Sequence, residues 1–373
     1  MTLTSTTRNL LLALGIAAGS AALPQKAFAQ QGFDDKDKGV PAGREKSTLE
    51  EKTESNSSHD LLDGYFRIDA WKSPTDIGAR ASTGMRFDTG KWDFGIYAHS
   101  QWQKSDNLFG GEDLEWLSNR GILELSTYLK EGNDLDVFFA GRAGVDYSKG
   151  SKQIDIDAYQ GKAGIDFGVG SRASGSKLLI TLDGGWGKYD AELLSGFEND
   201  GDYTSISGSL LGHQRLFSDG KTDSSLRSQF ENVTMLGEEF KHSLYLSAAI
   251  FGGKDKFGDL NDIDRFGAQI ELPYVFNTRE YSRDANGDVQ GKGILWQFTP
   301  RIRYEKTMAE SKLGRTESDA DRWRFEVEAK AYLTNFAAIR TAVGYDMFMQ
   351  DVKGLGKEDK NGLEFQVGLD FNF

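Results

Sequence analysis

From residue 61 onward, apolar and polar positions alternate with a period of two. In the segment Arg322 to Leu333 the odd positions (Trp323, Phe325, Val327, Ala329, Ala331, Leu333) are apolar and the even ones from Arg322 to Lys330 are charged. Successive side chains of a strand point to opposite faces, so one face is oily and the other ionic. Helical spacing would scatter the same charges around the circumference. The pattern recurs. Ile294, Trp296, Phe298, Pro300, Ile302 and Tyr304 oppose Gln297, Arg301, Arg303 and Glu305, and Phe266, Ala268, Ile270 and Leu272 oppose Arg265, Gln269 and Glu271. Trp92, Phe94, Ile96, Ala98 and Trp102 oppose Asp93, His99, Gln101 and Gln103, while Leu135, Val137, Phe139, Ala143 and Val145 oppose Asp136, Arg142 and Asp146. The chain ends on Leu363, Phe365, Val367, Leu369, Phe371 and Phe373 along one face.

These runs predict fourteen strands, near 62–72, 78–88, 91–103, 117–130, 134–148, 156–169, 177–190, 203–217, 240–251, 265–281, 293–307, 321–334, 338–350 and 362–373. Residues 218–239 are neither periodic enough for a strand nor apolar enough for a core helix. A hairpin there would give sixteen strands, and a misread pair elsewhere would leave twelve. The expected fold class is all-β, an antiparallel up-and-down barrel.

Composition narrows the setting. The 38% hydrophobic fraction, with no apolar run after the N-terminus long enough to cross a bilayer, excludes a helical membrane protein. The absence of cysteine excludes a disulfide scaffold, a thiolate metal site and a cysteine nucleophile. A net charge of -13 argues against a nucleic-acid partner, whose phosphates demand a basic face.

A soluble antiparallel barrel turns its oily face inward, whereas a membrane barrel turns it toward lipid. Strand number favours the second, because about eight strands already make an interior that side chains fill. Trp92 and Trp102 share a face ten residues apart. On tilted strands they would lie roughly 24 Å apart along the membrane normal, the height of an apolar band between aromatic girdles. The seven tryptophans, with Trp92, Trp102, Trp296 and Trp323 foremost, are therefore expected as interfacial belts. With the N-terminus inside, residues 88–91, 130–133 and 333–336 form tight inner turns, and 104–116, 191–202, 252–264, 308–320 and 351–361 form longer outer loops. Two long connections, 218–239 and 282–292, fall on the inner side against that scheme.

The first residues address the chain to an exported compartment. Arg8, an apolar stretch from Leu10 to Ala22, and Ala27-Phe28-Ala29 have the form of a secretory signal peptide over 1–29, cleaved after Ala29. Residues 30–60 carry eight acidic and five basic residues with Phe33 as their one aromatic. They read as a solvated, disordered or partly helical extension before the barrel at 61–373.

With its signal peptide, its lack of cysteine and an alternating final strand closing on Phe373, the chain resembles a Gram-negative outer-membrane β-barrel protein of porin-like type. The resemblance spans residues 61–373 and is architectural. It implies location in the cell outer membrane, contact with outer-membrane lipid, and recognition of Phe371 and Phe373 by the barrel assembly machinery. No apolar hatch segment of the kind a fatty-acid channel uses precedes the barrel.

The polar face then lines the lumen. It brings Arg67, Arg80, Arg86, Arg120, Arg142, Arg301, Arg303, Arg322, Arg324 and Arg340 together with Asp69, Asp136, Asp146, Asp183, Glu271, Glu305, Glu326, Glu328 and Asp346. Opposed charges across a wet lumen restrict polar solutes, and cross-strand ion pairs would equally stabilise the wall. The expected function is passive diffusion of small hydrophilic solutes or ions, with no enzyme activity and no cofactor. Arg301, Arg303, Arg324 and Glu326 are the first selectivity candidates, joined by Glu305, Arg322, Glu328, Arg340, Asp346, Arg142 and Asp146. One alternative is a binding or structural barrel acting through outer loops or the N-terminal extension. A minor one is a membrane hydrolase using His213 with Ser207 or Ser209, whose same-strand spacing requires a cross-strand partner. Asp284 to Asp288 reads as a polar turn, since a calcium loop would need glycine and glutamate where Val289 and Leu295 stand. Asp259, Asn261, Asp262 and Asp264 are a weak candidate cluster for a divalent cation.

Overall fold

The structure is a computed structural model that describes residues 61–88, 92–105, 114–130, 135–151, 154–171, 174–193, 198–219, 242–259, 261–278, 280–283, 289–292, 294–311, 316–333, 337–353 and 356–372. The expected signal peptide, the charged extension, the Asp284–Asp288 turn and Phe373 lie outside the described residues.

The strands are β1 (Leu61–Lys72), β2 (Asp76–Asp88), β3 (Asp93–Ser105), β4 (Leu114–Lys130), β5 (Asp136–Ser151), β6 (Ile154–Ser171), β7 (Ser176–Leu193), β8 (Glu198–Ser218) and β9 (His242–Phe257). They continue as β10 (Asn261–Glu271), β11 (Tyr274–Asn277), β12 (Glu280–Arg283), β13 (Val289–Lys292), β14 (Leu295–Ser311), β15 (Thr316–Tyr332), β16 (Ala337–Val352) and β17 (Gly356–Asn372). Each pairs antiparallel with its sequence neighbour around the sheet, and β1 closes on β17 from Tyr65↔Asn372 to Lys72↔Phe365. Closure leaves no free edge, which is what lets a sheet cross hydrocarbon.

The circle has fourteen staves, because β10 and β11 are one strand. Glu271↔Arg301 and Tyr274↔Phe298 keep the same register across the gap, and so do Glu271↔Ser247 and Tyr274↔Leu244. The ladder breaks because neither Pro273, opposite Tyr245, nor Pro300, opposite Leu272, has an N–H to donate. The Pro273 carbonyl still accepts from the Tyr245 N–H at 2.9 Å, and the Leu272 N–H donates to Pro300 O at 3.0 Å. Among the described residues β12 and β13 pair only with each other, so the long inner connection before β14 contains its own hairpin.

The apolar parity faces outward. Phe325, Val327, Val343, Phe365 and Val367 are exposed, with Val343 at 52% and Phe365 at 49%. Their polar neighbours Arg324, Glu328, Arg340, Asp346 and Glu364 are buried. So continuous an apolar surface around a closed barrel far exceeds the few hundred Å² that a water-soluble monomer leaves open. On β16 it runs from Ile339 to Met349, ten steps of about 3.3 Å, which at barrel tilt matches the roughly 25 Å hydrocarbon band.

Four of the five long outer loops of the sequence prediction are much shorter than expected. Only four residues separate β7 from β8, three separate β9 from β10, four separate β14 from β15 and three separate β16 from β17. The strands extend into the segments expected to be loops. At these ends polar residues occupy both faces, as in Lys357-Glu358-Asp359 of β17, all exposed. Beyond the hydrocarbon both faces meet water, so hydrogen-bonded pairing continues where alternation stops. Eight residues separate β3 from β4 at the same end.

The tryptophan expectation divides. Trp102 and Trp323 are exposed on the apolar face near the outer end, and Trp296 stacks with Phe298 toward the inner end. Trp92, half-buried, stands directly before β3. Trp71 and Trp116 instead share the inward parity of Asp69 and Ser118, and Trp71 donates its indole N–H to Asp76 at 2.7 Å.

Candidate functional site

The lumen surface is built by the polar parity of every stave, and its charges are paired in registers that span more than adjacent strands. Arg67 on β1 meets Asp370 on β17 at 2.9 Å, and Lys330 on β15 reaches the same carboxylate at 2.8 Å. Asp69 on β1 is held from both sides, by Arg80 on β2 at 2.8 Å and by Arg340 on β16. Arg340 and Asp69 face each other over Gly368 of the intervening β17, which sits in register with both. A Cβ on Gly368 would overlap the Asp69 carboxylate, so glycine makes the passage for this ion pair.

Above these, Arg322 binds Asp346 at 2.6 Å and reaches Asp76 on β2 at 3.4 Å. Arg324 meets Glu364 at 3.1 Å and Asp346 at 3.7 Å. Arg301 joins Glu326 at 2.6 Å and also bonds Glu271, and Arg303 meets Glu305 at 3.3 Å. Glu328 lies 3.8 Å from Arg340. All of these belong to β14–β17, β1, β2 and the edge of β10. The side chains are packed against one another: Asp69 is 0% exposed, Lys330 1% and Arg340 2%. Long charged side chains therefore fill about half of an interior that strand number alone leaves wide.

The other half differs. On β5–β9 the inward positions include Gly144, Gly164, Gly253, Ser205, Ser207 and Ser209, and a cavity of about 100 Å³ lies against them. Arg120 of β4 and Lys162 of β6 converge on Asp146 at 2.7 and 2.6 Å, and Arg142 bridges Asp166 at 3.2 Å and Asp183 at 3.0 Å. The Arg142–Asp183 pair repeats the device of the packed half, crossing over Gly164 in register with both. A Cβ on Gly164 would overlap the Asp183 carboxylate.

Of the eleven lumen residues singled out from sequence, nine (Arg301, Arg303, Glu305, Arg322, Arg324, Glu326, Glu328, Arg340 and Asp346) lie in the packed half, and Arg142 and Asp146 line the cavity. Sequence reading did not single out Lys162, Ser205 and Asp370. Alternation marked their faces, but only register shows what each one meets.

His213 lies far from Ser207 and Ser209 along β8 and bonds Ser247 Oγ across the β8–β9 pair at 2.7 Å. Its ring stacks on Tyr245. The Asp259–Asp264 cluster divides between faces. Asn261 is buried inward, while Asp264 and Asp262 pair on the outside with Lys254 at 3.1 and 4.0 Å.

A closed antiparallel barrel with a lipid-compatible exterior and an ionic interior defines a transmembrane β-barrel of outer-membrane type. No protein-family model matches the chain, and no curated protein matches it in sequence. Solved structures do align with it along most of its length. The β-domain of the Bordetella autotransporter BrkA covers 84% of this chain and 100% of its own, at 9% identity and a TM-score of 0.41. The Pseudomonas putida toluene transporter TodX covers 83% and 88%, at 9% identity and 0.44. Vibrio cholerae OmpT covers 87% and 100%, at 11% identity and 0.34. All three are barrels, and superpositions this loose carry no argument about what passes through or binds to this one.

Proposed function

We propose that the protein is a passive outer-membrane channel for small hydrophilic solutes or ions. The observation that carries this reading is the cavity lined by Arg120, Arg142, Lys162, Asp183 and the β8 serines inside a closed barrel whose outside is oily. Charged and hydroxylic walls keep a solute hydrated while a lipid-facing exterior seals the surrounding bilayer. Diffusion through such a wall needs no covalent chemistry and no cofactor. Export through a cleaved signal peptide and insertion by the barrel assembly machinery, with Phe371 and Phe373 as part of the terminal signal, complete the proposal. Purified protein with a heat-modifiable gel shift, reconstituted in planar bilayers, is expected to give discrete conductance steps. A correctly folded barrel that stays electrically silent would overturn the reading in favour of a binding or structural role.

A further inference from the structure

The lumen wall is unequal around its circumference, and the inequality locates the path. On β14–β17, β1 and β2 the inward side chains are long, charged and interlocked; even the small inward Ala342 is only 3% exposed. Beside the cavity, β5–β8 place Gly144, Gly164, Ser205, Ser207 and Ser209 inward, and Ser207 is exposed on that surface. Exposure rises in step: Arg142 is 17% exposed, Lys162 21% and Asp183 32%. A solute in the barrel therefore meets open space on one side and an ion-paired filling on the other.

Resting on the channel reading above, we propose that solute passes off-axis along β5–β8, and that Arg120, Arg142, Lys162 and Asp183 determine which solute passes. The packed half serves as a fixed plug. Arg120, Arg142, Lys162 and Arg265 line the cavity against Asp146, Asp183 and Asp255, a surplus of one positive charge, and Asp146 lies deeper than Arg120 and Lys162 as Asp166 does than Arg142. Arg120 and Lys162 project beyond Asp146, Asp183 is more exposed than Arg142, and the β8 hydroxyls add donors and acceptors at the same level. The favoured class is a small hydrophilic anion such as a carboxylate.

The natural absence of cysteine makes the test clean, because any single introduced thiol is the sole target of a thiol reagent. Ser207→Cys, Ser209→Cys and Ala342→Cys barrels, each verified by heat-modifiable mobility, are recorded in planar bilayers before and after a cationic methanethiosulfonate. Conductance is expected to fall about twofold or more at positions 207 and 209 and to hold at 342, whose thiol reacts only after unfolding in urea. In a salt gradient the unmodified protein is expected to favour chloride, and Arg142→Ala to lower the anion-to-cation permeability ratio about twofold. Equal block at 207 and 342, or none at either serine position in a conducting barrel, would overturn the off-axis path and leave the channel standing. Cation preference in the unmodified protein would overturn the anion assignment. Absence of conductance in the folded, unmodified barrel would remove the channel reading itself, and this inference with it.

Discussion

Asp69 ties three staves of the barrel together, and its replacement by asparagine isolates what that bond contributes. The carboxylate is wholly buried, with Arg80 Nε at 2.8 Å from β2 and Arg340 from β16 reaching it over Gly368. At an effective dielectric of 20 a charge pair at that separation attracts by about 6 kcal/mol, most of it offset by the desolvation of both groups. Asparagine keeps the shape and removes the charge, leaving two buried guanidiniums facing a neutral amide. Breaking a buried pair from one side costs roughly 3–5 kcal/mol, and Asp69→Asn should fall in that range because its partners have little water to turn to. Urea unfolding of the barrel in lipid, followed by tryptophan emission, should show a midpoint lowered by about 1–3 M at an unchanged slope. The double variant Asp69→Asn/Arg340→Met, which also removes one stranded charge, should recover part of the loss. A loss below about 0.5 kcal/mol in the single variant, or none recovered in the double, would refute the account, since it would make the pair equivalent to a solvated surface ion pair.

Three further outcomes follow from the same geometry. Gly164→Ala places a methyl where the Asp183 carboxylate lies, so the Arg142–Asp183 bridge should open and single-channel conductance should change, while Gly141→Ala, with open space around its outward Cβ, should be neutral; identical recordings from the two would refute the bridging role of Gly164. Val327→Arg puts a cation on the lipid face and should cost about 2–4 kcal/mol by unfolding in lipid, whereas Ser209→Arg on the lumen wall should cost little; equal costs would contradict the assignment of faces. In single-tryptophan barrels, lipid brominated near its headgroup should quench Trp102 and Trp323 and spare Trp71, which is tied inward to Asp76; quenching of Trp71 would place it wrongly.

The staves were legible because hydrocarbon imposes a strict rule on the outer face. Wherever a residue must meet lipid, as from Leu363 to Phe371 or Trp323 to Val327, alternation appears in the sequence and fixes strand, face and parity at once. The outer strand ends obey no such rule. Lys357 to Lys360 or Asp200 to Asp202 hydrate on either face, so nothing in their order separates strand from loop, and the expected loops at 191–202 and 351–361 are largely strand. Pro273 was compatible with the single expected strand 265–281 because the break it makes does not shift the register.

The arrangement inside the lumen was less legible, for a different reason. Facing identifies Arg340, Asp69, Arg142 and Asp183 as inward residues, but pairing depends on which residues stand level on either side of an intervening strand, a property of accumulated register. Arg340 and Asp69 lie 271 positions apart in sequence, and Arg142 and Asp183 lie 41 apart, yet each pair spans a single intervening stave. What joins them is the glycine at the same level on that stave, Gly368 or Gly164, which in sequence is one glycine among 44. Glycine inside a strand usually weakens it, and the expected compensation is close approach of something else; in this barrel that something is a carboxylate reaching across. Glycine thus makes the same passage on both walls, and what differs is what surrounds it. On β17 it admits an ion pair that helps close half of the lumen, whereas on β5–β8 glycine and serine together leave room beside the pairs. An inward residue's consequence for passage is therefore set by the size of its lateral neighbours as much as by its own charge.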